Sequence, residues 1–133
     1  MNAVFIFSVL LLLAIVLAGY MWVSSNKRSL RSGARRAVQN AWLTVETEKN
    51  VILKLVEADK VLDEALRLLG YTGTLGEKLK VAGPRMSNLN DVWWAHKLRN
   101  AAVHNLSSKP HQKDIDRSIV IFQKALNDLG AKI

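Results

Sequence analysis

Residues 93–105 read WWAHKLRNAAVHN and hold the chain's densest set of groups able to act on a phosphate ester. Arg99 offers a planar, permanently charged fork that matches phosphate oxygens. His96 and His104 supply imidazoles, the side chain best suited to moving a proton near neutral pH. Asn100 can donate to a phosphate or a sugar hydroxyl. Cleavage of RNA needs little more. A base takes the proton of the ribose 2′-hydroxyl, a cation steadies the pentacoordinate phosphorus, and an acid protonates the leaving 5′-oxygen. Such a scheme calls for no metal and no other cofactor. On a helix, His96, Asn100 and His104 recur every four residues and share a face. Arg99 borders that face, and Ala101 and Ala102 leave room beside it.

The neighbours of this set have plainer readings as well. Lys97 can add a phosphate contact or simply remain solvated. Trp93 can stack on a base, pack within the fold or meet a second copy. Trp94 belongs with the core, because adjacent helical residues diverge by about 100°. His96 can be a supporting or surface residue. His111 follows Pro110 and is read as solvent-exposed. Three histidines without cysteine or a carboxylate cluster make a poor zinc site. Residues 73–83 contain Gly73, Gly76 and Gly83 but lack the Gly-Lys-Ser/Thr of a phosphate loop. For Arg99 and His104 the plain alternative is a helix–helix hydrogen bond.

The hexapeptide Arg99-Asn100-Ala101-Ala102-Val103-His104 resembles the Arg-polar-x-x-x-His signature of HEPN domains. These are small helical bundles of prokaryotic toxin–antitoxin systems, CRISPR effectors and other defence proteins. The resemblance covers about residues 40–130. It implies an all-α fold and a homodimer whose motif helices meet in one composite ribonuclease site. It also implies that Arg99 and His104 form the catalytic pair, with Asn100 in the polar position. The activity so implied is that of a metal-independent endoribonuclease leaving a cyclic phosphate.

The elements that must position these residues follow from composition and periodicity. The chain has 133 residues, no cysteine and a formal net charge of +8. This excludes a large two-domain enzyme, a disulfide-stapled secreted domain and thiolate chemistry. Five of the 19 cations (Lys27, Arg28, Arg31, Arg35 and Arg36) lie in residues 26–36 without an acid. The remaining 14 face 11 acids, so the body is only mildly basic. Charge alone does not make it a nucleic-acid binder.

Residues 3–23 contain no charged side chain. They match the roughly 20 apolar residues that cross a bilayer as a helix, with Tyr20 and Trp22 at an interface. A cleaved signal peptide fits less well, since no cation precedes the run and the run is long. The cations that follow place residues 37–133 in the cytoplasm and the N-terminus outside. They can also attract anionic lipid. The expected plan is therefore a transmembrane anchor over 1–23, a basic juxtamembrane linker over 24–36 and a HEPN-like domain over 37–133.

Within the body no run alternates as a strand would. Val51, Leu55, Ala58, Leu62, Ala65 and Leu69 repeat at helical spacing and predict a long helix over residues 37–69, with a break near 49–50. A short helix is predicted over 77–82. The motif helix spans 88–105, capped by Ser87 or Asn88, with Trp94, Leu98 and Ala101 on its core face. The last helix spans 112–129, along which Ile115, Ile119, Phe122, Leu126 and Leu129 repeat at four, three, four and three. Gly70 and Gly130 stop their helices. The sum is an all-α up-and-down bundle of three long helices and one short one behind a single transmembrane helix. The expected task is to bind RNA, with cleavage as its extension. The alternative is a non-enzymatic helical module that pairs with itself or a partner at the membrane.

Overall fold

The computed structural model describes residues 3–25, 29–104 and 109–133, and within these the chain is all-helical. α1 spans Ala3–Ser25, α2 Ser32–Thr47, α3 Val51–Leu68, α4 Leu75–Ala82, α5 Leu89–His104 and α6 Gln112–Asp128. A 3-10 turn, Gly83–Arg85, follows α4. α1 is apolar all round; its residues Ala3–Tyr20 are exposed and form a stretch long and apolar enough to cross a membrane. The side chain of Trp22, the expected linker residues Lys27 and Arg28, and Asn105 lie outside the described residues.

α3 is the hub. It packs on α2, α4, α5 and α6 and buries Leu55, Ala58, Leu62, Ala65 and Leu66. α2 turns back on it across three residues as a helical hairpin. The break expected near residues 49–50 divides the 37–69 stretch into these two helices. Asn50 enforces the restart, because its side-chain oxygen accepts the N–H groups of Ile52 and Leu53. α6 lays Ile115, Ile121, Phe122, Ala125 and Leu126 against α3 and α5. Gly70 and Gly130 adopt φ of 92° and 93°, so that Tyr71 and Ala131 donate back to Leu66 and Leu126.

Several element ends differ from expectation. The body starts before residue 37, within the stretch expected as linker. Leu30 is buried and its N–H donates to Leu129 O at 3.0 Å. Arg35 donates to Gly130 O and Leu30 O at 2.8 and 3.1 Å, which staples the start of α2 to the end of α6. At α5, Asn88 does not cap with its side chain. Its amide donates to Ile121 O, and Ser87 donates to Asp128 through both its N–H and its hydroxyl.

α4 begins earlier than expected because Thr74 and Glu77 form a capping box. The Thr74 N–H and hydroxyl both donate to Glu77 Oε2, which holds that carboxyl below its ordinary range. A lowered folded-state pKa contributes stability above the unfolded value and loses it as pH falls through the folded value. The stability gap between wild type and Glu77→Gln should therefore close on acidification below about pH 4. Urea titrations of both proteins between pH 3 and 6 check this. A gap that widens on acidification contradicts it.

Candidate functional site

The groups singled out on α5 do not all face one way. The helix sends Val92, Ala95, Arg99 and Ala102 inward at spacings of three, four and three, with Val92 and Ala95 fully buried. Of the expected core face, Ala101 is exposed and Trp94 and Leu98 are half-buried. Trp94 lies under the Arg117 guanidinium, 4.5 Å from its ring centre, and Arg117 reaches Asp91 at 3.4 Å. An arginine on the inward stripe needs an acid opposite it, and α3 provides one.

That acid is Asp59, 4% exposed and set among Leu55, Leu62 and Leu66 on the same side of α3. It closes a ring of four side chains. His96 Nδ1 lies 2.7 Å from Asp59 Oδ1. Asn100 Nδ2 lies 3.3 Å from His96 Nε2. Arg99 Nη1 donates to Asn100 Oδ1 at 2.9 Å. Arg99 Nε stands 3.4 Å from Asp59 Oδ2 as an ion pair, yet this buried N–H makes no hydrogen bond. The ring is consistent in donors and acceptors when His96 carries its proton on Nδ1. A guanidinium has five N–H donors, and this one spends a single bond among the described residues. Its side chain remains 24% exposed, at the edge of the ring.

His104 stands apart. It is exposed on the last turn of α5, and no hydrogen bond joins it to Arg99. Five helical residues turn the chain by about 140° beyond a full revolution, so one copy of α5 cannot aim both groups at the same point through helix geometry alone. Exposed Ala101 and Val103 flank His104. Lys97 is exposed on the same helix, and His111 is exposed at the start of α6 without a capping bond. Trp93 is half-buried, edge-on to His96 at 6.2 Å between ring centres. It rests on Gly76 of α4, where an added Cβ would lie 3.5 Å from the indole. It thus supports His96 more directly than it offers a stacking face.

Asp59 is the site residue that the motif alone does not announce. Its signal was in the sequence. Leu55, Asp59, Leu62 and Leu66 recur at four, three and four, which places one carboxylate within an apolar stripe. A buried acid is retained only with partners. The groove of about 370 Å³ lined by Lys49, Asn50, Val51, Ile52, Lys109 and Pro110 includes no member of the ring. Among the described residues no three His, Cys, Asp or Glu side chains converge as metal ligands. No known protein family, curated protein or solved structure matches this chain. Fold and site together define an all-α bundle behind an N-terminal apolar helix, with a buried carboxylate organising a cationic, imidazole-bearing helix.

Proposed function

We propose that this chain is a membrane-anchored, HEPN-like domain that binds RNA on α5 and cleaves it without a metal ion. In this reading α1 spans the bilayer, and the basic residues after it keep the bundle in the cytoplasm. The observation that carries the reading is the state of Arg99. A buried carboxylate and an amide hold the guanidinium, which spends a single hydrogen bond among the described residues and belongs to a side chain that stays partly exposed. A pre-oriented cation of that kind suits a phosphate, since little order is lost on binding.

The resemblance to HEPN domains supplies the dimer. Pairing of two α5 helices along exposed Ala101 and Val103 would bring His104 of one copy towards Arg99 of the other. One imidazole would then accept the 2′-hydroxyl proton as the oxygen attacks phosphorus. A second imidazole would protonate the departing 5′-oxygen, and Arg99 would face the pentacoordinate phosphorus. The products are a 2′,3′-cyclic phosphate and a 5′-hydroxyl.

Fluorescence anisotropy with a labelled single-stranded RNA tests the binding half on the full chain in nanodiscs. Arg99→Ala should weaken binding by about tenfold or more, the worth of a charge-assisted contact. Equal affinity for wild type and Arg99→Ala overturns the site. The same ring favours a second reading, a non-enzymatic module in which Asp59, His96, Asn100 and Arg99 only bolt α5 to α3. That reading predicts no RNA binding by the wild type.

A further inference from the structure

We propose that the corner of the bundle where α2 begins docks onto the anionic phospholipid headgroups of the bilayer that holds α1. This inference rests on the membrane-anchor reading and is independent of the RNA site. α1 ends at Ser25, and Leu30 is already fixed in the core through its bond to Leu129 O. Five Cα steps separate these residues, a reach of at most about 18 Å. The corner built from Leu30, Arg31, Leu129 and Gly130 therefore stays close to the headgroups wherever the rest of the bundle points.

The corner is also cationic in a specific way. No acid occurs anywhere in residues 1–45, while Lys27, Arg28, Arg31, Arg35 and Arg36 all do. Arg35 is spent on the carbonyls of Leu30 and Gly130, so it rigidifies the corner. Arg31 and Arg36 are exposed and form no ion pair among the described residues. Lys132 is exposed, and its carbonyl is held by the amide of Gln39, three residues after Arg36 on α2. Asp128, the acid nearest in sequence to this corner at the end of α6, is turned onto Ser87. A short tether raises the local concentration of lipid, and a rigid cationic corner then meets phosphates of opposite charge. Docking by this corner would set the bundle's tilt and hence how far α5 stands from the membrane.

The chain has no cysteine, so single labels are clean. A dye at Ser32→Cys reports the corner. One at Lys49→Cys lies just past the far end of α2, a helix about 24 Å long. Energy transfer to a headgroup dye is measured for the full chain in nanodiscs of phosphatidylcholine alone or with phosphatidylglycerol. Phosphatidylglycerol should raise transfer at position 32 more than at position 49, and 1 M NaCl should reverse the rise. Arg31→Gln, Arg36→Gln and Lys132→Gln together should lower the docked-to-undocked ratio by about a hundredfold, near fivefold per cation. Transfer that ignores lipid charge, salt and the three substitutions overturns the docking. A response at position 32 to added RNA in neutral discs, and not to phosphatidylglycerol, assigns the corner to nucleic acid and also overturns it. A chain washed from the discs by alkaline carbonate overturns the anchor and the docking with it, whereas a retained but unresponsive chain overturns the docking alone.

Discussion

Asp59→Ala should cost about 3 kcal/mol of stability, the lower end of what breaking a buried ion pair costs. The side chains of Asp59, His96 and Arg99 are 6%, 15% and 24% exposed, so none can recover full hydration when its partner is lost. Removal of the carboxylate leaves the partly buried guanidinium on the inward stripe of α5 without its counter-charge. For a bundle of this size the change corresponds to a fall in Tm of roughly 15 °C. Asp59→Asn should lose less, because its carbonyl can still accept from His96 Nδ1. Asp91→Ala is the control. Its pair with Arg117 is 3.4 Å long with both side chains more than half exposed, and such pairs contribute little. Thermal melts of the full chain in detergent, followed by circular dichroism, compare the three. Equal melting of Asp59→Ala and Asp91→Ala would mean that the ring does not hold α5 to α3.

His104→Ala should have the opposite profile. The imidazole is exposed on the last turn of α5, where its stabilising effect on the helix end is at most about 1 kcal/mol. Melting should therefore change little. Loss of a positioned proton-transfer group lowers rate by about 10²–10⁴-fold, so RNA cleavage should fall by that factor. Asp59 and His104 thus separate what holds the site from what acts in it. A His104→Ala protein that melts as wild type and cleaves as wild type removes His104 from the chemistry.

The architecture was legible wherever one apolar stripe decided it. α3 and α6 carry repeats of four and three that few other arrangements could satisfy, and the glycines after them stop both helices. The onset of α2 was not legible. Residues 29–36 are mostly polar, and they join the bundle through Leu30 in the core and through bonds of Leu30 and Arg35 to Leu129 and Gly130, a century of residues away. α5 misled for a related reason. Its pattern offers Trp94, Leu98 and Ala101 as an apolar face, yet the helix turns Arg99 inward because Asp59 awaits it on α3. A polar partner across a helix interface outweighs a small gain in buried alanine, and periodicity within one helix cannot register it. The candidate site was therefore half visible. His96, Arg99 and Asn100 were grouped by spacing and are joined in the fold, while the acid that joins them came from another element.

The chemistry of the RNA ends is the most direct test of the whole account. Wild-type chain in nanodiscs is incubated with single-stranded RNA in excess chelator, and the fragment termini are identified by mass. The account predicts 2′,3′-cyclic phosphate and 5′-hydroxyl ends, produced by wild type and lost in His104→Ala. RNA left intact by the wild type, or 3′-hydroxyl and 5′-phosphate ends that appear only with a divalent ion, would contradict it.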